Sequence, residues 1–334
     1  MSEDHQIDER REHQHHHKHH RNHRKHTFRN IILTIIGLLV VAGVVFAGIA
    51  WKNLSSTTSG MYQKSGATEK RDASSVLSGK KPVSILLLGT DTGDLGRDYK
   101  GRTDTMILMT INPKTKKTTM TSIPRDMYVN LPDYPQYSPA KINAAYAFGG
   151  VKESINVVQK YFDVPVDYYV LVNMGGLKKA INQVGGVDVT SPLTFTYNGS
   201  SFTEGKKQHM NGQTALNFSR MRYDDPKGDY GRQERQRLVI TALLRKSISY
   251  RTVLNKSFLN SISSQSKTDL TFSQMTKLAL NYRGAAKTVK SDYVQGTGKM
   301  ISGQSFQIVS TNERQTASNN IRDNLGLKRV QIGE

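Results

Sequence analysis

The sequence predicts an α/β fold: one domain with a central mixed β-sheet flanked by helices, behind a single N-terminal transmembrane helix. Three observations predict it. Short apolar runs closed by Gly or turn residues recur between residues 83 and 172, as buried strands do. Helix-spaced apolar positions are interleaved with those runs over one long stretch, the pattern of an α/β domain. Residues 31–51 contain no charged side chain.

Residues 1–30 hold seven Lys/Arg, five Asp/Glu and nine of the ten histidines. The run His15-His16-His17-Lys18-His19-His20 has metal-ligating chemistry, but its composition reads as a solvated polar tail without packed structure. The 21 residues 31–51, at about 1.5 Å each, span the roughly 30 Å hydrocarbon layer. Trp51 suits the lipid–water boundary. The run exceeds the roughly 7–15 apolar residues of a cleaved signal, which favours an uncleaved anchor. Six Lys/Arg in residues 11–30 against four in residues 52–71 point the N-terminus into the cytoplasm. Residues 52–80, rich in Ser, Thr, Gly and Lys, read as an extracytoplasmic linker. Residues 81–334 then form the outer domain. Within it, residues 83–88 read as a strand ended by Gly89, and residues 105–111 and 118–123 as a hairpin about Asn112-Pro113-Lys114. Val151, Ile155, Val158 and Tyr161 mark a helix, and residues 168–172 a further strand. Leu177, Ile181 and Val184 mark a helix stopped by Gly185-Gly186. Residues 232–249 and 312–325 read as two more helices.

The chain carries 47 Lys+Arg against 27 Asp+Glu, a formal net charge of +20, and no Cys. The missing Cys excludes disulfides, Cys-ligated zinc, iron–sulfur clusters and thiol catalysis. Only +2 of the charge sits in the tail, which leaves +18 beyond the apolar segment. Its anionic partners are then lipid head groups, lipid-linked phosphates and wall polymers, and not nucleic acid. With His209 the only outer histidine, a His-rich zinc site is excluded by count and a Ser-His-Asp triad would have to use it. Beside Met210-Asn211-Gly212, His209 reads as an exposed turn residue. There is no phosphate-cradling nucleotide loop, and Gly149-Gly150 reads as structural.

What remains is Asp and Arg at strand ends. Asp91 closes the first apolar run and Asp104 opens the next. Two such carboxylates suit Mg²⁺ when a substrate phosphate completes the octahedron, or else each caps a turn or pairs with Arg97 or Arg102. Arg125 follows the third strand. Residues 220–237 then hold Arg220, Arg222, Lys227, Arg232, Arg235 and Arg237 with Asp224, Asp225, Asp229 and Glu234. Arg220 and Arg222 share a face if that segment is a strand, and Arg232 and Gln236 share one on a helix. Five Arg to one Lys favours geometric anion recognition, because guanidinium groups bind phosphate oxygens in pairs.

Seven motifs in this order resemble the LytR–CpsA–Psr family of Gram-positive envelope proteins. They are Leu87-Leu88-Gly89-Thr90-Asp91, Gly101-Arg102-Thr103-Asp104-Thr105, Ser122-Ile123-Pro124-Arg125-Asp126 and Lys141-Ile142-Asn143-Ala144-Ala145-Tyr146. Val184-Gly185-Gly186-Val187-Asp188 and Asn211-Gly212-Gln213-Thr214-Ala215-Leu216 follow, then Ser219-Arg220-Met221-Arg222 running on to Gln236. Phe218-Ser219 stands where the family often has Tyr-Ala. The resemblance implies an extracytoplasmic phosphotransferase on a single-pass membrane anchor. It would attach an anionic glycopolymer (wall teichoic acid, capsule or related polysaccharide) from an undecaprenyl-diphosphate carrier to peptidoglycan. It implies that Asp91 and Asp104 hold Mg²⁺ (or Mn²⁺), that Arg125, Arg220, Arg222, Arg232 and Gln236 bind the diphosphate, and that Arg102 supports it. An apolar cleft for the polyprenyl chain is implied, with no lining assigned. The acceptor hydroxyl must lose a proton, to Asp229, to Asp91 or with the help of the metal.

Two other functions use the same residues. A pyrophosphatase would place water where the acceptor hydroxyl stands. A non-catalytic anionic-polymer binding or regulatory protein would bind without turnover.

Overall fold

The computed structural model describes residues 60–90, 101–247 and 256–333. The tail 1–30, the apolar segment 31–51 and Asp91 lie outside the described residues. Among the described residues, no helix is long and apolar enough to cross a membrane.

Six strands form the central sheet: β1 (Val83–Thr90), β2 (Thr103–Asn112), β3 (Lys117–Ser122), β4 (Tyr168–Asn173), β5 (Ser266–Thr268) and β6 (Thr288–Tyr293). Their order across the sheet is β5-β4-β1-β2-β3-β6. β1 pairs parallel with β4, and β3 parallel with β6, while β2 runs antiparallel between β1 and β3. The sheet is therefore mixed, and four strands (β1, β3, β4 and β6) point the same way. The predicted hairpin is present: Oδ1 of Asn112 accepts the amides of Lys114 and Thr115, both at 3.0 Å, and closes the turn.

The helices are α1 (Ala73–Ser78), α2 (Ala144–Phe162), α3 (Met174–Gln183), α4 (Gly212–Arg220), α5 (Asp229–Ser247), α6 (Lys256–Ser263), α7 (Phe272–Asn281) and α8 (Thr311–Leu325). Alternation along the strands assigns each side chain to one face or the other. Leu86, Leu88, Met106 and Leu108 join residues of α2 and α8 in one buried cluster. Ile85, Ile107, Met109 and Met120 face the other way, against Leu270 and Tyr282, with Ile240 and Leu244 of α5 packed alongside. Because both faces are covered, the strands read as continuous apolar runs instead of alternating ones. A smaller cluster joins α3, α4 and α5 to two short ribbons, through Ile181, Phe195, Phe202, Phe218 and Val239.

Two readings change. Residues 60–80, read as linker, are packed on the domain: Met61 is buried, and Gln63 and Met61 exchange backbone hydrogen bonds with Thr268 of β5 at 2.8 and 2.9 Å. Val76 and Leu77 of α1 are buried as well. Composition missed this because main-chain pairing and a few apolar anchors hold the segment, neither of which needs periodicity. Gly149-Gly150 is structural as read: it stands at a kink within α2, ahead of the part that Val151, Ile155 and Val158 mark. Gly150 (φ 69°, ψ −151°) kinks the helix, and a Cβ on Gly149 would come 2.3 Å from that of Glu153. His209 is on a strand, Lys207–Met210, where it faces Asp188 across the ribbon with Nδ1 2.9 Å from Oδ1.

Two predictions follow from this packing. Leu108→Ala, at a fully buried position, should lower unfolding free energy by about 2–5 kcal/mol in denaturant titration. Burial pushes the Asp269 carboxyl, which accepts the amide of Tyr169 at 2.9 Å, up to about 6. A carboxyl raised in the folded state favours folding at low pH and loses that contribution as pH rises through its folded value. Relative to Asp269→Asn, the wild type should therefore gain roughly 2 kcal/mol between neutral pH and pH of about 4.

Candidate active site

The four parallel strands end on one side of the sheet, and Asp104, Arg125, Arg222, Asp229 and Arg232 gather there, as ligand sites do in α/β sheets. β1 ends at Thr90 after a register shift between Gly89 and Thr90, a bulge that bends the strand end. Gly89 is required here, since a Cβ would meet that of Thr105 at 2.9 Å. Asp104 is the second residue of β2, and Arg125 lies just past β3.

Arg125 is the hub. Its Nη1 donates to Oδ1 of Asp104, and its Nε lies 3.7 Å from both Asp126 and Asp229. Asp229 is the first residue of α5, where the helix dipole favours a carboxylate. Its Oδ1 is 2.6 Å from Nη2 of Arg232 and 4.0 Å from Nε of Arg222, and its Oδ2 accepts from Gln233 at 3.0 Å. Nη2 of Arg232 also reaches the carbonyl of Asp104 at 3.5 Å. Burial pulls Arg125 down, but the charges of Asp104, Asp229 and Asp126 outweigh it and its pKa is raised. Burial lowers Arg232, with Asp229 opposing and Arg125 and Arg222 adding repulsion. Nε of Arg125 and Nε of Arg232 are buried without a hydrogen-bond partner among the described residues. A buried unmet donor costs about 1–3 kcal/mol, more when charged. Both guanidinium groups converge on Oδ1 of Asp229, Nε of Arg125 at 3.7 Å and Nη2 of Arg232 at 2.6 Å, and each keeps an Nε that a further acceptor would satisfy.

Of the predicted residues, the structure thus joins Asp104, Arg125, Arg222, Asp229 and Arg232. Arg220 and Arg222 are not on a strand as supposed: Arg220 ends α4, and the chain turns extended at buried Met221 before Arg222. Arg102 is exposed at the entry to β2. Asp104 pairs with Arg125 and not with Arg102, and among the described residues no cluster of three or more acidic or His side chains could hold a metal. As a hard oxygen donor, Asp104 fits Mg²⁺ only together with Asp91 and ligand oxygens.

Gln236, one turn beyond Arg232, lines an apolar cavity of about 320 Å³. Its walls include Leu87 of β1, Val172 of β4, Leu177 of α3, and Val239 and Leu243 of α5; Gly89, Thr105 and Ser219 also line it. The sequence held no signal for this lining, which comes from elements far apart in the chain. It also concealed Arg235 among its arginines. That side chain is fully buried. Nε donates to the carbonyl of Phe218 at 2.9 Å, Nη2 to that of Met221 and Nη1 to Asp225, and the guanidinium sits 5.1 Å from the Phe195 ring centroid. Arg235 thereby holds the segment that carries Arg220 and Arg222. Removing one partner of a buried pair costs about 3–5 kcal/mol, so Arg235→Ala should lose about that much stability by denaturant titration.

The sequence profile of the LytR–CpsA–Psr family matches residues 49–323. The polyisoprenyl-teichoic acid–peptidoglycan teichoic acid transferase TagU of Enterococcus faecalis is 42% identical over 302 residues, covering 90% of this chain and 99% of that protein. The crystal structure of protein gbs0355 from Streptococcus agalactiae superposes with a TM-score of 0.70 at 36% identity, covering 80% of this chain and 94% of the other. TagT bound to LI-WTA superposes with a TM-score of 0.63 at 27% identity, covering 78% and 94%. In sequence and in fold, the chain belongs to the LytR–CpsA–Psr family.

Proposed function

We propose that this protein is a phosphotransferase that attaches an anionic glycopolymer from an undecaprenyl-diphosphate carrier to peptidoglycan. The observation that carries the reading is the juxtaposition of two unmet buried guanidinium donors, on Arg125 and Arg232, with an apolar cavity whose lining includes Gln236. A ligand that is a phosphate at one end and hydrocarbon at the other answers both. The relatives support it: TagU is a teichoic acid transferase, and TagT has been captured with LI-WTA.

The chemistry is a displacement at phosphorus. The acceptor hydroxyl oxygen bonds to the phosphorus that carries the glycopolymer, and the bond from that phosphorus to polyprenyl phosphate breaks. Arg125, Arg222 and Arg232, with Arg220 and Arg102 alongside, oppose the charge that develops on both phosphates. The acceptor proton passes to a carboxylate, and Asp229 at the head of α5 is the described candidate beside Asp91. Asp104 and Asp91 would hold Mg²⁺ or Mn²⁺, which when bound supplies further charge neutralisation. The 21 uncharged residues 31–51 would anchor the chain as a single membrane pass. The cytoplasm would then hold residues 1–30, and the catalytic domain would lie outside the cell.

The test is in-vitro transfer of a labelled lipid-linked glycan to peptidoglycan oligomers, with and without Mg²⁺. Covalent label on the oligomer is expected, whereas free polymer with none on the oligomer would replace the transferase by a hydrolase. Arg232→Ala and Arg125→Ala should each cut transfer on the order of 10² to 10³-fold. Wild-type rates in both variants would remove these guanidinium groups from the reaction.

A further inference from the structure

A transferase needs a second substrate site, and the donor's apolar cavity lies on the face of the sheet covered by α3 and α5. On the opposite face, between β3, β6 and α8, runs a polar groove. Its first part, of about 280 Å³, is lined by Thr121, Asp292, Tyr293, Glu313, Thr316 and Asn320. Its second part, of about 240 Å³, continues past the shared Asn320 to Thr119, Lys117 and Lys290.

Three features mark the groove as a binding site. Thr121 is 2% exposed, and its Oγ1 is a buried hydroxyl without a hydrogen-bond partner among the described residues. Nδ2 of Asn320 reaches Oδ2 of Asp292 across the groove at 3.4 Å, a long bond that an incoming hydroxyl can replace. Tyr293, 47% exposed, offers an aromatic face at the groove's end. Its ring centroid lies 5.4 Å from that of Tyr230, the residue after Asp229. β3 leads from the groove towards the active site, because Arg125 follows Thr121 by four residues, in the turn just past the end of β3.

The lining chemistry is unlike that of the donor site. No guanidinium lines the groove. Hydroxyls, four side-chain amides, carboxylates and two lysines line it, with one exposed ring. Such a mixture of donors and acceptors matches a chain of many hydroxyl and acetamido groups, and the ring suits the apolar face of a sugar. We propose that this groove binds the acceptor, the β-linked amino-sugar strand of peptidoglycan, and leads its hydroxyl to the strand ends where the donor phosphate lies. The inference rests on the transferase reading above.

The test uses the full-length protein and a tetrasaccharide of alternating N-acetylglucosamine and N-acetylmuramic acid. Two variants are compared with wild type. Thr316→Trp fills the groove from an exposed helix position, and Asn320→Ala removes its central amide. Binding of the tetrasaccharide, acceptor KM and affinity for the lipid-linked donor are measured. Each variant should weaken tetrasaccharide binding and raise acceptor KM about tenfold, the loss of roughly one hydrogen bond, and leave donor affinity at the wild-type value. Wild-type acceptor binding and KM in both variants would overturn the groove. A loss of donor affinity equal to the loss of acceptor binding would overturn it too, by showing a general distortion. Failure of the transferase reading is recognised separately: the wild type then binds donor but places no label on the tetrasaccharide.

Discussion

A guanidinium taken out of water must find acceptors for its N–H groups, and this site is organised by one arginine whose three nitrogens all do and two that each leave one nitrogen unmet. Arg235 donates to two carbonyls and a carboxylate in full burial. Arg125 and Arg232 keep an unmet Nε each. The first kind of arginine is fully met within the protein, and the second keeps one donor without a partner. Both kinds depend on α5, which also carries Arg237. That side chain donates to Ser122 at the end of β3, at 2.7 Å, and to Ser291 of β6. One helix therefore fixes the loop with Arg220 and Arg222, presents Asp229 and Arg232, and is pinned to the sheet beside Arg125. Gly231 is part of the same fit, since a Cβ there would meet Oδ2 of Asp225 at 2.0 Å.

The parallel direction of β1, β3, β4 and β6 supplies the other constraint. It delivers the ends of β1 and β3 to one side of the sheet, with β2 entering between them. Residues far apart in sequence, such as Asp104 and Asp229, can then bracket the same guanidinium. The sheet also separates two environments. An apolar cavity lies on one face and a polar groove on the other, and both extend towards these strand ends.

Much of this was legible in the sequence where a local rule applied. The strand and hairpin elements followed from apolar runs and the Asn112 turn, and the last helix from its spacing. Arg232 and Gln236 were correctly set on one helix face. The rest depended on contacts that no local pattern encodes. Arg235 looks like its neighbours until Phe218, Met221 and Asp225 are seen to converge on it. The cavity lining is assembled from eight elements, β1, β2, β4, β5, α3, α4, α5 and α6. His209 beside Asn-Gly resembled a turn, but Asn211 caps α4, its side chain accepting the amide of Thr214, and the preceding residues pair as a strand. Asp91, half of the acidic pair, lies outside the described residues.

The short pairing of residues 61–63 with β5 matters beyond holding the start of the domain. An open sheet edge presents free amides and carbonyls that recruit strands from other molecules. Here the β5 edge is covered by a stretch only a few residues long, and the opposite edge, β6, carries the charges of Lys290 and Asp292 among mostly exposed side chains. A chain cut at residue 81, where composition alone would begin the domain, would uncover β5 and take away Met61, Val76 and Leu77 from the core. The segment that looks dispensable thus closes an edge that would otherwise be open to pairing.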